Sequence, residues 1–216
     1  MRILVTAGPT REFMDPVRYI SNRSSGKMGY AIAAAACARG HEVVLISGPV
    51  ALTAPAGVKV VPVVSAADML PAVESHFEAC DALIMAAAVS DWRPAVVSQQ
   101  KMKKQNARME LMLEPTADIL LTIRPRKGGR VVVGFAAETT EVESEARRKL
   151  AAKGLDLIVA NDVTQSDAGF DVETNRVVLI TTTDRLPLPL MTKREVGERI
   201  VEWVESRAGM SREMHK

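Results

Sequence analysis

Residues 18–29, RYISNRSSGKMG, decide how this chain is read. They lie between a short apolar run, RILVTA at 2–7, and an alanine-rich run, YAIAAAACARG at 30–40. An apolar run, a polar loop and an alanine-rich segment in that order predict a strand, a loop and a helix. Ser24, Ser25, Gly26, Lys27 and Gly29 then stand where the helix begins. A helix start rich in glycine and hydroxyls reads as a dinucleotide fingerprint, a phosphate cradle of another kind, or a plain turn.

Outward from this loop the strand and helix patterns alternate. A helix is expected over 27–39, closed by Gly40 in the favoured position just past a helix end. EVVLIS (42–47) follows as a second strand, so the first unit is β-α-β and the sheet parallel. VKVVPVV (58–64) is a third strand, and Pro62 suggests a sheet edge. Ser65 can cap a helix over 66–79. ALIMAAAV (82–89), apolar throughout, suits a central parallel strand. A polar segment, 90–106, carries the lysine cluster KMKK, and RMELMLEP (108–115) alternates like a half-exposed strand. ADILLTI suggests a short helix, and RVVVGFAAET (130–139) a fifth strand with its exit loop. A charged helix over 140–153 ends at Gly154, and LDLIVAND (155–162) is a sixth strand. RVVLITT (176–182) and RLPLPL (185–190) read as a hairpin, and 192–207 as a last amphipathic helix. The predicted fold is α/β, a doubly wound, mostly parallel Rossmann-like sheet with an added antiparallel hairpin. It forms one domain over 1–207, with 208–216 expected to fray.

Composition narrows the classes of function. The 28 basic and 26 acidic residues leave a net charge of +2, which gives no electrostatic reason to expect a nucleic-acid partner. No apolar run approaches the ~18–20 residues that a membrane span needs. The start, MRILVTAGPT, does not read as a signal peptide. Cys37 and Cys80 lie far apart in apolar surroundings and are expected to be buried free thiols, which suggests a reducing, cytoplasmic setting. His41, His76 and His215 have no metal-ligand spacing.

A nicotinamide fingerprint needs G-x-G-x-x-G directly after the first strand and an acid at the end of the second. Here only Gly8 follows the first strand directly, and 17 residues pass before Gly26. The second strand ends LISGPV, with no acid. A plain turn explains neither the serines nor the length of the excursion. The phosphate cradle remains: helix-start N–H groups attract anions, and Arg11 and Arg18 suit fork-like phosphate binding.

TAGPTREFMDPVRYISNRSSGKMG, AAAVSDWRP, KMKK, GFAAET and DLIVANDV resemble the signature segments of phosphopantothenoylcysteine synthetase. That family is the ligase half of the bacterial bifunctional coenzyme A biosynthesis proteins. The resemblance runs over about residues 2–207. It implies joining of 4'-phosphopantothenate to L-cysteine, with CTP and Mg2+, through an acyl-cytidylate, and release of CMP and pyrophosphate. In many bacteria a flavin-dependent decarboxylase precedes this domain, so fusion to or association with one is implied, as is a homodimer with the site near the interface.

The resemblance also assigns roles. Asn22 is matched to the residue that contacts the substrate carboxylate and the acyl-cytidylate, and Arg18 to an arginine that reaches the substrate phosphate of the neighbouring subunit. Ala87, Ala88 and Asp91 match positions along the pantothenoyl part. Gly8, Ser24, Gly26 and Gly29 match positions near the triphosphate; Phe135, Ala136 and Ala137 match the segment beside the base. Asp118 and Ile119 match a neighbouring part of that pocket, although the family's Asn-Pro-Asp is replaced here by the longer EPTADIL. Lys149 and Lys153, four apart on one helix face, are matched to lysines pointing at the phosphates. Lys101 is matched to a lysine implicated in the second half-reaction. The resemblance identifies no Mg2+ ligands. Two other classes stay open on the residues alone: a nicotinamide oxidoreductase on the same fold, and a nucleotide-binding module without turnover.

Overall fold

The computed structural model describes residues 1–104, 108–162, 164, 169 and 171–213. Along the chain run β1 (Arg2–Ala7), β2 (Arg11–Phe13), β3 (Tyr19–Ser21), α1 (Lys27–Ala38), β4 (Glu42–Ser47), β5 (Lys59–Pro62) and α2 (Ala66–Phe77). Then come β6 (Ala82–Met85), β7 (Trp92–Pro94), β8 (Leu113–Pro115), α3 (Ile119–Ile123), β9 (Val131–Glu138) and α4 (Val142–Lys153). The chain ends with β10 (Leu157–Asp162), β11 (Thr174–Asn175), β12 (Val177–Ile180), β13 (Arg185–Pro187), β14 (Met191–Thr192) and α5 (Lys193–Glu213).

The main sheet has the order β13-β12-β10-β9-β6-β1-β4-β5. From β5 to β10 every neighbouring pair is parallel, while β12 and β13 are added antiparallel. The expected doubly wound sheet with its hairpin is therefore the observed one, and β5, with Pro62, is its edge. The order reverses between β1 and β6, the topological switch point at which such sheets bind ligands. Burial on both faces explains the unbroken apolar runs of β1, β6 and β10. One core layer packs α1 and α5 on the sheet through Ile32, Ala36, Val196 and Ile200. The other packs α2, α3 and α4 through Met69, Phe77, Ile123 and Leu150. Ser65 caps α2 as expected and shares a capping box with Asp68, whose carboxylate the Ser65 backbone and hydroxyl and Val64 hold below its usual range despite partial burial.

Several boundaries differ from the sequence reading. The 8–25 excursion contains a short hairpin, β2 against β3. The fourth strand stops at Met85, beyond which Ala88 keeps an isolated parallel bridge, to Pro9. Of 108–115 only β8 is strand, paired with β7. α5 continues to Glu213, six residues beyond the expected end. Cys80 is buried and free, but Cys37 is only partly covered, its Sγ 3.4 Å from the Ala56 carbonyl. His215 lies outside the described residues.

Candidate active site

The carboxyl ends of β1 and β6 are stitched together by a short set of bonds. Ala88 N donates to the Gly8 carbonyl at 2.9 Å, and Thr10 N to the Ala88 carbonyl at 3.4 Å. Ala87 N donates to Oγ1 of fully buried Thr6 at 3.1 Å, and Ser90 N to Thr10 Oγ1 at 2.9 Å. Two buried threonines thus set the path of 87–90. Gly8 has φ 76° and lies behind the site rather than in it; a Cβ there would meet Val50 Cγ1 at 2.9 Å. Gly29 lets α1 approach β1, since its Cβ would fall 2.5 Å from that of Ala7.

Over this junction opens a cavity of about 460 Å³, within the range of small-molecule sites. Of the residues matched in sequence, Asn22, Ser24, Gly26, Gly29, Ala87, Ala88, Asp91, Asp118, Ile119, Phe135, Ala136, Ala137, Lys149 and Lys153 line it. Gly8, Arg18 and Lys101 do not. The start of α1 faces the cavity with Gly26 at φ 77°, no side-chain cap and no acid in its first turn among the described residues. Such a helix end offers N–H groups to an anion.

The lysines are held, not loose. Lys149 Nζ lies 2.5 Å from Glu138 Oε1, and Lys153 Nζ 2.9 Å from Asp118 Oδ2. Arg148 pairs with Glu145 at 2.8 Å. Carboxylates thus offset the positive charges of Arg148, Lys149 and Lys153 along this stretch of α4. Asn22 Nδ2 donates to the carbonyls of Val89 at 2.9 Å and Ala88 at 3.4 Å, which fixes the side chain beside the exit of β6.

Among the further lining residues to which the sequence reading gave no role are Lys27, Asn161, Asn175 and Lys193. Lys193, at the start of α5, is 4% exposed and donates to the Val172 carbonyl at 2.6 Å. Burial, with the charge of Lys27 nearby, pushes it down to about 8. Lys27 Nζ lies 2.5 Å from Glu173 Oε1. Asn161 and Asn175 are both buried, and Asn161 Oδ1 has no hydrogen-bond partner among the described residues. A buried acceptor without a donor is costly, so a ligand N–H or O–H suits that position. Asn161 stands in the DLIVANDV segment, at the end of a strand facing the ligand rim, which was the available signal. Lys193 had none, since only the return of α5 onto α1 brings it here.

Sheet order, switch-point cavity and lysine-lined walls define a doubly wound α/β domain with an anion-adapted ligand site. The chain belongs to the family described as DNA/pantothenate metabolism flavoprotein C-terminal domain, whose profile matches residues 1–207. It is 50% identical over 202 residues to the coenzyme A biosynthesis bifunctional protein CoaBC of Bacillus subtilis, covering 93% of this chain and 50% of that protein. Its identity to the Escherichia coli K12 CoaBC is 45% over 211 residues, covering 96% and 52%. The chain thus spans about half the length of these relatives. The crystal structure of the C-terminal domain of a CoaBC superposes with a TM-score of 0.81 at 45% identity, covering 95% of this chain and 94% of that one.

Proposed function

We propose that this domain is a CTP-dependent phosphopantothenate–cysteine ligase of coenzyme A biosynthesis. One observation carries the reading. A single cavity brings together Asn22 and the open start of α1, Phe135 to Ala137 of the GFAA segment, and Lys149 with Lys153, residues from three separate stretches of sequence. Membership of the family and similarity to bifunctional proteins of coenzyme A biosynthesis support it.

In this reading the substrate carboxylate attacks the α-phosphorus of CTP. Pyrophosphate leaves and an acyl-cytidylate forms. The amine of L-cysteine then attacks the acyl carbon, the amide forms and CMP leaves. The protein supplies position and charge rather than a nucleophile. The α1 N–H groups, Ser24 and Gly26 receive phosphate oxygens, with Lys149 and Lys153 across the cavity. Ala87, Ala88 and Asp91 line the pantothenoyl part. Phe135, Ala136, Ala137 and Ile119 border the base. For Asn22 Nδ2 to reach the substrate carboxylate, its bonds to Ala88 and Val89 must be exchanged for that contact. Lys101 acts in the second half-reaction.

Mg2+ suits this site as an ion carried on the nucleotide. Among the described residues no group of three or more His, Cys, Asp or Glu is placed to hold a metal, and Asp118 and Glu138 are already paired to lysines. When bound with CTP it neutralises phosphate charge.

The working unit in this reading is a homodimer. Exposed Phe13, Tyr19, Trp92, Val96, Met112 and Leu113 gather on β2, β3, β7, β8 and their flanks, which suits a second copy. Attachment to a flavin-dependent decarboxylase fits the half-length match, and a cytoplasmic setting fits the substrates; among the described residues no helix is long and apolar enough to cross a membrane.

The test is to incubate purified protein with 4'-phosphopantothenate, L-cysteine, CTP and Mg2+ and to look for the amide product by mass. Formation of 4'-phosphopantothenoylcysteine is expected. Its absence with folded protein would reject the ligase reading.

A further inference from the structure

Asp15 is wholly buried, and both of its carboxylate oxygens are in use. Oδ1 accepts from the backbone N–H of Val17 at 2.8 Å and of Arg18 at 2.9 Å, closing the turn between β2 and β3. That is local work, and one oxygen suffices for it. Oδ2 looks elsewhere. It accepts from Met102 N at 3.1 Å, across 87 residues of sequence, and lies 2.9 Å from Arg18 Nη2. The same Nη2 donates to the Met102 carbonyl. Met102 is thus gripped at both its N–H and its C=O. A further tie, Ser98 N to the Met14 carbonyl at 3.0 Å, runs the 98–102 segment along this turn. Burial tends to raise the Asp15 carboxyl, but the N–H groups of Val17, Met102 and Arg18, with the Arg18 guanidinium, hold it below its usual range.

We infer that Asp15 is a positioning residue whose carboxylate, with Arg18, fixes the KMKK segment to the turn whose second strand leads directly into Asn22. The inference rests on the reading of Lys101 as a residue of the second half-reaction. Burying the Asp15 carboxylate costs solvation that the half-exposed Arg18 offsets only in part, and a local turn does not require it. The cost is explained if the held segment must sit at a set place. Arg18 accordingly has a role within its own chain through Nη2, beside any contact its half-exposed remainder makes with a partner.

Asp15→Asn keeps size and the turn-closing oxygen, removes the charge facing Arg18, and alters the bond to Met102. Three readouts decide the matter. Tryptic cleavage after Lys101, Lys103 and Lys104 should speed up roughly tenfold as charge-assisted bonds are lost. Pyrophosphate release without cysteine should stay near the wild-type rate, while cysteine-dependent CMP release falls to that of Lys101→Gln. The double variant, Asp15→Asn with Lys101→Gln, should be no slower than Lys101→Gln alone, because both act through one group. Equal loss of both half-reactions, or losses that multiply in the double variant, would overturn the inference; so would an unchanged cleavage rate. If Asp15→Asn does not fold, Met102→Pro deletes the N–H from the exposed side. Cleavage after Lys103 and Lys104 and the same kinetic pattern then decide in the same way. Should Lys101→Gln itself leave ligation unchanged, the catalytic part fails with the Lys101 reading, and the cleavage rates show separately whether Asp15 holds the segment.

Discussion

Lys149→Met removes a charge that the proposed function places opposite the nucleotide phosphates. A lysine 4 Å from a phosphate oxygen is worth ~4 kcal/mol by Coulomb's law at an effective dielectric of about 20. The structure reduces that figure. The Lys149 side chain is 32% exposed and lies 2.5 Å from Glu138, so binding draws on a charge already partly compensated. Removing the lysine has a second effect, since Glu138 is left facing the anion. Together these give an expected loss of about 2 kcal/mol, or roughly thirtyfold in the Kd of CTP with Mg2+. The assay is isothermal titration at two salt concentrations. The deficit should shrink at higher salt, where screening weakens both effects. Adding Glu138→Gln to Lys149→Met should recover roughly half of the lost free energy, by removing the bare carboxylate. A single variant within twofold of wild type, or a double variant no better than the single, would refute the reasoning.

Thr6→Val preserves shape but leaves the Ala87 N–H without its acceptor, so stability should fall by about 1–3 kcal/mol and the melting temperature by several degrees, read by calorimetry. Lys193 sits in the folded chain at about 8, against 10.5 ordinarily. The unfolded chain then binds more protons between these values, so this residue makes stability rise with pH from 8 to 10.5. Lys193→Met should flatten that rise, by on the order of 2 kcal/mol in denaturant titrations. The difference between the two proteins isolates it, because Cys80, pushed up to about 12 by burial, acts in the opposite sense above pH 9. Asn22→Asp places a second carboxylate against that of the substrate and should slow pyrophosphate release at least tenfold; near-normal release would remove Asn22 from the first step.

The parts legible in sequence are those whose cause is local. β1, β4, β6, β9 and β10 are buried on both faces, so their apolar runs announced them. Ser65 and the glycines at 40 and 154 marked helix ends through capping and left-handed backbone, and Gly26 marked a helix start. What could not be read depends on partners distant in sequence. Arg11–Phe13 and Tyr19–Ser21 are three-residue strands that exist because each pairs with the other. β7 and β8 pair across the polar segment, and alternation over 108–115 could not say that only its last three residues find a partner. β11 and β14 pair beside the start of α5, in the region that delivers Lys193 to the cavity. The site followed the same division. Fourteen of the matched residues line the cavity; most sit at or just beyond strand ends and at helix starts, which topology gathers, while Lys149 and Lys153 come from the C-terminal half of α4. Arg18 and Lys101 lie on the turn and on the segment tied to it, and sequence spacing did not reveal that Asp15 joins the two.

The central claim is that this cavity couples CTP cleavage to amide formation with cysteine. It is tested most directly by CMP release from purified protein given 4'-phosphopantothenate and Mg2+, with CTP or ATP, and with or without L-cysteine. Rapid release that requires cysteine and prefers CTP is the predicted result. No release with either nucleotide from folded protein, or release indifferent to cysteine, would contradict it.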